Sequence, residues 1–310
     1  MNSGVFYALA AYVIWGLFPL YFKALDAVPS LQILAHRMVW SLLLVVVLLA
    51  VLRRWAWLRV LRQQPLVLAR FALSALLLSS NWGIYIWAVN SNHVVDASLG
   101  YYINPLVNVA LGALLLHERL RGLQWAALGI AAAGVTVMAL EVGHIPWISL
   151  SLALTFGSYA LLRKTAPLGA LEGLAVETAV LFPLALAYLD WLGAHGQNAF
   201  VTADAQTRLL LIAAGPVTTV PLLLFAAGAR RMSMALLGVL QYVTPSLQLA
   251  LGVWLYHEPF ATAKLVGFGL VWLGLAAYLL DGLRAAWNKP AAAPAAAPPG
   301  DGAGAVASKP

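Results

Sequence analysis

The stretch LGYYINPLVNVALGALLLHE at residues 99–118 returns 140 positions later as VLQYVTPSLQLALGVWLYHE at residues 239–258. Eight of the twenty aligned positions are identical, whereas two unrelated apolar helices of this composition would share about two or three. We interpret the recurrence as an internal repeat, so the chain is predicted to contain two related halves.

Both copies carry polar side chains at the spacing i, i+3 and i+7, which places them on one face of a helix. Each helix is therefore expected to carry one polar stripe through an apolar body. We predict that the two stripes meet between the halves and bind a solute. Because an amide both donates and accepts hydrogen bonds, the amides favour a neutral or zwitterionic solute. The stripe residues are Tyr101, Asn104 and Asn108 in the first copy and Gln241, Thr244 and Gln248 in the second.

The composition indicates a polytopic membrane protein. Of its 310 residues, 63% are hydrophobic and only 9% are charged, against roughly 25% charged residues in a soluble domain. The net charge of +7 does not indicate a nucleic-acid partner, because the basic residues lie between apolar runs. The expected surroundings are the lipid bilayer, and the sequence predicts neither a cofactor nor a metal site.

A helix needs about 20 apolar residues to cross the hydrocarbon core. The chain contains ten such runs, so the predicted fold is all-α integral membrane with ten transmembrane helices. The predicted spans are 4–23, 31–52, 66–89, 95–116, 122–140, 145–163, 171–192, 207–229, 233–256 and 261–283.

Lysine and arginine predict the orientation, since they are enriched in cytoplasmic loops. The loops and tail on one side of the membrane hold fourteen cations, and the loops on the other side hold three. This difference predicts that both termini lie on the cytoplasmic side of a bacterial-type inner membrane. The larger set is Arg53, Arg54, Arg59, Arg62, Arg70, Arg119, Arg121, Arg163, Lys164, Arg230, Arg231, Arg284, Lys289 and Lys309. The smaller set is Lys23, Arg208 and Lys264.

Five helices per half is an odd number, so the second half is predicted to lie inverted relative to the first. Inverted repeats are the layout of many secondary transporters, whose substrate binds near the midplane between the halves. The predicted units are the first repeat at 1–143, the second at 144–287 and a disordered Ala/Pro-rich cytoplasmic tail at 288–310.

Four further segments carry a family resemblance. AYVIWGLFPLYFKAL at 11–25, NWGIYIWAVN at 81–90, ASLGYYINPLVN at 97–108 and HERLRGLQW at 117–125 resemble the RarD-type members of the EamA family, in the drug/metabolite transporter superfamily. The resemblance covers about 4–285 and implies two EamA repeats around a central cavity lined by helices 1, 3, 4, 6, 8 and 9. It also implies secondary transport of a small organic solute, with export favoured. The alternatives are an intramembrane enzyme and a non-transporting scaffold or sensor.

Two charged residues lie inside predicted spans at equivalent places of the repeat. Arg37 is ~9 Å from the outer end of helix 2 at 1.5 Å per residue, and its counterpart Glu177 is equally far from the inner end of helix 7. A charge at this depth usually faces a cavity, although snorkelling to the headgroups is the alternative for Arg37. Because inversion separates the two residues by ~12 Å in depth across a ~30 Å core, a direct ion pair is not expected.

Helix 3 carries a third polar face. Asn81, Tyr85 and Asn92 follow the spacing i, i+4 and i+11, with Trp82 adjacent. Amides and aromatic rings suit a polar or amphipathic solute, while interhelical hydrogen bonding is the plainer interpretation. Both interpretations stay open for these residues.

Five prolines inside the spans are candidate hinges, because proline removes a backbone hydrogen bond and kinks a helix. Ordinary membrane-helix proline is the alternative. The five are Pro19, Pro105, Pro216, Pro221 and Pro245.

Two His-Glu pairs end the two copies of the repeat. They lack the second histidine of HExxH, because the fifth residue is Arg121 in one copy and Ala261 in the other. We therefore expect a polar turn at each helix end rather than a zinc protease. The pairs are His117-Glu118 and His257-Glu258.

Overall fold

The computed structural model describes residues 3–90, 93–142, 146–255 and 262–287, and within these ranges the chain forms helices without strands. The predicted tail at 288–310 and the predicted boundary at 143/144 lie outside the described residues. The helices are α1 (Ser3–Gly16), α2 (Phe18–Lys23), α3 (Ser30–Val51), α4 (Trp57–Gln63), α5 (Pro65–Asn90), α6 (Val94–Leu115), α7 (Gly122–Val142), α8 (Trp147–Thr165), α9 (Ala170–Ala194), α10 (Ala199–Thr202), α11 (Ala205–Ala229), α12 (Met234–Gln241), α13 (Val243–Ala250) and α14 (Thr262–Trp287). A π-helical turn, Leu251–Leu255, follows α13.

All ten predicted runs coincide with helices, but two of them are broken. The first run divides at Leu17 into α1 and α2, and Pro19 lies in the first turn of α2. Proline is tolerated there, because the first N–H groups of a helix have no intrahelical acceptor. The ninth run divides at Tyr242 into α12 and α13, with Pro245 near the start of α13.

Among the described residues, seven stretches of helix have the length and apolar composition to cross a membrane. The chain is therefore an all-helical, multi-pass membrane protein, and ten crossings stay a prediction. The other predicted spans are α6, α8 and α12–α13, and the apolar segments Leu99–Leu115 and Met234–Ala250 within them are shorter than the seven. The seven are Ser3–Lys23, Ser30–Val51, Pro65–Tyr85, Gly122–Leu140, Ala170–Ala194, Ala205–Ala229 and Leu265–Gly282.

The helices pack as a bundle in which remote segments of the chain meet. α3 lies between α9 and α11, α1 contacts α11, α12 and α13, and α6 contacts α8 and α12. α7 and α14 form the tightest pair: a Cβ at Gly134 would lie 2.6 Å from the Gly267 carbonyl oxygen, and a Cβ at Gly274 would lie 2.6 Å from that of Ala127. Small residues allow this close approach of the two backbones.

An aromatic cluster holds the centre of the bundle together. Tyr12 of α1, Tyr159 of α8 and Phe225 of α11 are fully buried. The rings of Tyr159 and Phe225 stack at 6.0 Å, and the Tyr12 hydroxyl donates to the Leu237 carbonyl at 3.0 Å. These contacts fix α1, α8, α11 and α12 around the space where the cavity lies.

One end of the bundle, which we call the basic end, is closed by polar contacts. The Glu118 carboxylate accepts the backbone N–H groups of Met234 at 2.7 Å and Ala235 at 3.0 Å. Lys164 lies 3.8 Å from the same carboxylate and donates to the Met232 carbonyl. Glu118 follows directly after His117, whose φ of +53° turns the chain back at the end of α6. The carboxylate therefore completes the first turn of α12 from outside that helix.

Candidate functional site

A cavity of about 340 Å³ opens between α1, α2, α3, α5, α6, α8, α11, α12 and α13. Its walls come from the start of α3 and α6 and from the end of α5, so it lies in the half of the bundle away from the basic end. The lining residues are Trp15, Phe18, Pro19, Phe22, Leu25, Asp26, Val28, Ser30, Ile33, Leu34, Arg37, Asn81, Trp82, Tyr85, Gly100, Tyr101, Asn104, Leu152, Phe156, Leu222, Gln241, Thr244 and Gln248.

Arg37 supplies a buried positive charge to the cavity wall, with only 8% of its surface exposed. Its Nε donates to the Thr218 hydroxyl at 2.8 Å. The guanidinium carbon lies 4.4 Å from the centre of a Trp82 ring and 5.8 and 5.7 Å from the rings of Phe18 and Phe22. In the described part of the chain, no carboxylate oxygen lies within 4.0 Å of a guanidinium nitrogen of Arg37, which is the limit for an ion pair. Aromatic faces thus surround a cation that has no ionic partner there.

The neutral polar groups of the wall are largely engaged with protein backbone. Asn81 donates to the Leu152 carbonyl at 2.8 Å and to the Thr155 hydroxyl at 3.0 Å. Thr244 donates to the Tyr12 carbonyl at 2.9 Å, and Gln248 donates to the Trp15 carbonyl at 3.2 Å. These side chains tie α5 to α8 and α13 to α1.

Nine of the eleven residues predicted to bind substrate line this one cavity. The structure therefore brings together residues from three separate predictions. They are the arginine of predicted helix 2, the polar face of predicted helix 3, and most of the polar stripes of the two repeat copies. The nine are Arg37, Asn81, Trp82, Tyr85, Tyr101, Asn104, Gln241, Thr244 and Gln248.

Asn108 is placed differently from its stripe neighbours. It is fully buried and lies outside the lining, where its Nδ2 donates to Gln241 Oε1 at 2.8 Å. A Cβ at Gly238 would lie 3.0 Å from the Asn108 Cβ, so α6 and α12 touch at this point. The stripe leaves the cavity here and continues into a helix contact.

Glu177 also lies outside the cavity lining, toward the basic end. Its carboxylate is 3.6 Å from the Arg163 guanidinium and accepts the Ser74 hydroxyl at 2.5 Å. The exposed fractions of Arg163 and Glu177 are 2% and 1%. Arg163 is counted above among loop cations, but it lies in the last turn of α8 and turns inward onto Phe71 and the Ala170 carbonyl. In the described structure Arg37 and Glu177 bond to different partners.

The candidate hinges fall into two groups. Pro19 and Pro245 lie at the breaks that begin α2 and α13, and Pro19 also lines the cavity. Pro105, Pro216 and Pro221 lie within helices that continue unbroken past them. The role of these prolines as hinges stays a prediction.

Sequence reasoning missed the apolar wall of the cavity. Trp15, Phe18, Phe22, Phe156 and Leu222 form this wall. The segment WGLFPLYF at 15–22 holds three of them, and the break at Leu17 turns them toward the cavity. A proline two residues after that break was the available signal, but aromatic residues are common throughout such a chain.

Comparison with known proteins gives the family. The model of the EamA-like transporter family matches residues 2–140. Protein RarD of Streptomyces exfoliatus is 48% identical over 96% of this chain and 94% of its own length. Protein RarD of Escherichia coli is 44% identical over 91% and 95%, and an uncharacterized transporter of Pseudomonas aeruginosa is 49% identical over 92% and 95%.

A solved structure, described only as the crystal structure of a protein, matches with a TM-score of 0.66. It covers 90% of this chain and 99% of its own length at 19% identity, so it supports the fold alone. The resemblance predicted from the four sequence segments is confirmed by relatives of nearly full length. The chain belongs to the EamA family and is a RarD-type member of it.

Proposed function

We propose that the protein is a secondary transporter that moves a small organic solute across the inner membrane by alternating access. The observation that carries the proposal is the cavity, because both halves of the chain supply its polar and aromatic wall. Its volume falls within the ~300–1,000 Å³ of small-molecule sites. Export is the direction that the resemblance to RarD-type proteins favours.

Two inverted repeats of five spans form the frame of this proposal. When 140 is added to its residue numbers, α5 aligns with α11. In the same way α6 aligns with α12, α13 and the π-helical turn that follows α13. Equivalent helices of the two halves also make equivalent contacts. α1 packs on α11, and its counterpart α8 packs on α5. α6 packs on α8, and its counterparts α12 and α13 pack on α1. Arg37 bonds to a hydroxyl on α11, and its counterpart Glu177 bonds to a hydroxyl on α5. These regularities support ten spans, with α1 and α2 together forming the first.

The basic end is the proposed cytoplasmic side, and both termini lie there. Arg54, Lys164 and Arg230 all make contacts at this end, as the excess of cations in cytoplasmic loops predicts. Reporter enzymes fused after Trp287 test the orientation. A reporter active only in the periplasm should stay silent, while a cytoplasmic reporter should be active; the reverse pattern would reject the proposed orientation.

In this orientation the cavity belongs to an outward-facing conformation. The cavity reaches toward the outer ends of α2, α3 and α5, while Glu118, Lys164 and the Arg163–Glu177 pair close the inner side. Alternating access then requires these inner contacts to part as the outer walls approach each other.

Solute transport tests the proposal directly. Proteoliposomes are loaded with a defined mixture of amino acids, organic acids and nucleosides, and mass spectrometry measures which solutes leave. Gln248→Trp places a bulky ring in the cavity wall and should abolish the loss of the transported solute. Leu184→Trp is the matched control, since Leu184 is exposed at 72% on the surface of α9. Loss of no solute from wild-type vesicles, or equal loss from both variants, would reject transport through this cavity.

A further inference from the structure

We propose that the transported solute carries a carboxylate, which binds the guanidinium of Arg37, and an apolar or aromatic body, which fills the aromatic part of the cavity. The inference rests on the proposed transport function and names the class of solute. It places the anionic group on α3 and the apolar body against α1, α2 and α8.

The geometry of Arg37 is the first argument. Only its Nε is bonded in the described structure, to the neutral hydroxyl of Thr218. The two terminal nitrogens have no protein acceptor there, and neither is among the fully enclosed unpaired atoms, so both reach the cavity. A guanidinium fork of this kind matches the two oxygens of a carboxylate. A buried cation without a counter-charge is energetically costly. An anionic solute therefore gains more binding free energy at this site than a neutral solute does.

The repeat gives an independent argument. The offset of 140 pairs Arg163 with Lys23 and Glu177 with Arg37. The first half thus has two cations where the second half has an ion pair of 3.6 Å. At the basic end the protein supplies its own carboxylate. In the first half the position that corresponds to Arg163 is a lysine and not a carboxylate, so the repeat gives Arg37 no counterpart of the Arg163–Glu177 pair.

Three of the predicted amides donate hydrogen bonds within the protein. Asn108 lies outside the lining and is bonded to Gln241. The donors of Asn81 and Gln248 are directed to protein acceptors. Among the donors left for a solute in the wall, those of the Arg37 guanidinium carry a positive charge.

The remaining wall selects the body of the solute. Trp15 and Phe156 lie edge to face at 5.7 Å, and Phe18 and Phe22 do so at 5.5 Å. Together with Trp82 they present apolar faces next to the guanidinium. A cavity of about 340 Å³ holds a compact ring or a short aliphatic chain. An amphipathic monocarboxylate fits both parts.

Pairs of an acid and its amide test the charge at nearly constant shape. The purified full-length protein in lipid nanodiscs is titrated near neutral pH with phenylacetate against phenylacetamide, and with hexanoate against hexanamide. Melting temperature and calorimetry report binding. We expect each acid to bind at least ~tenfold more tightly than its amide, as a charge-assisted bidentate contact predicts. Sodium chloride at matched ionic strength controls for inorganic anions.

Three variants locate the effect. Arg37→Gln should make acid and amide bind equally, and Arg37→Lys should restore only part of the difference, because ammonium lacks the planar fork. Arg208→Gln is the matched control: Arg208 is an exposed arginine near the start of α11, and its loss should leave the acid preference unchanged.

The outcomes separate this inference from the proposed function. Three results would each overturn the inference that the solute is an organic anion. These are equal binding of acid and amide to the wild type, failure of both acids to bind, and equal stabilisation by chloride. Release of a neutral solute in the vesicle assay would also overturn it while leaving transport intact. Release of no solute at all would reject the transport function itself.

Discussion

The two buried arginines of this chain have opposite surroundings. Arg163, at the basic end, is 3.6 Å from the Glu177 carboxylate and donates to the Ala170 carbonyl. Arg37, in the cavity wall, has a hydroxyl and three aromatic rings around it, and no carboxylate of the described residues lies within 4.0 Å of it. A buried charge whose partner belongs to the protein serves the fold. A buried charge that faces open space without a partner is available to a ligand.

Removing the carboxylate of the inner pair should have the largest effect. Glu177→Ala leaves Arg163 as an uncompensated buried cation, which costs about 3–5 kcal/mol. Chemical denaturation in detergent should show this loss of unfolding free energy. The double variant Arg163→Met, Glu177→Leu should recover most of it, since well-packed apolar residues often replace a buried ion pair at no loss. A double variant as unstable as the single one would mean that Arg163 and Glu177 do not act as a pair.

Removing the cavity arginine should separate function from stability. Arg37→Met loses a charge-assisted contact to solute, worth about 1.5–3 kcal/mol, and transport should fall roughly ten- to hundredfold. The unfolding free energy should change by less than ~1 kcal/mol, because the substitution removes a buried charge together with its contacts. Transport and denaturation are measured on the same preparation. Normal transport by this variant would assign Arg37 to snorkelling.

Thr218 offers a finer test of the same site. Thr218→Val keeps the shape of the side chain but removes the acceptor of Arg37 Nε. The loss of one hydrogen bond is worth about 1 kcal/mol, so the affinity for the acid probes should fall about fivefold. Thr207, whose exposed backbone N–H bonds to Asp204, provides the control Thr207→Val on the same helix. An unchanged affinity would show that Thr218 does not position the guanidinium.

The smallest perturbation distinguishes Asn108 from the stripe residues that line the cavity. This chain contains no native cysteine, so single cysteines report exposure to water. Gln248→Cys and Asn104→Cys should react with a small hydrophilic maleimide, because both positions line the cavity. Asn108→Cys should stay unreactive and lose only ~0.6 kcal/mol of interhelical hydrogen bonding. Equal labelling at all three positions would place Asn108 in the water-filled cavity as well.

The helical fold was predictable because its signal is long and redundant. Runs of about 20 apolar residues and an offset of 140 place nearly every helix within a few residues. The prolines predicted kinks at five positions, but the sequence could not show that only Pro19 and Pro245 accompany a break, since all five lie within continuous apolar runs.

The site was predictable where polar residues are rare. Asn81, Asn104 and Gln248 are conspicuous in apolar helices, and all three line the cavity. The surroundings of Arg163 were hidden, because an arginine at the end of a span resembles a loop cation until its helix packs against Phe71 and Glu177. The aromatic wall could not be predicted because aromatic residues are common in this chain. Nothing in the sequence distinguishes Trp15 and Phe156 from the others.

The Glu118 cap of α12 has a consequence for biosynthesis. The carboxylate and the N–H group of Met234 that it binds are 116 residues apart in the chain. During translation the acceptor is made long before its donor, so Glu118 enters the membrane boundary with its structural partners still unsynthesised. Lys164 is made before Met234 and can neutralise the carboxylate first. The first turn of α12 can then form on a carboxylate that is already in place.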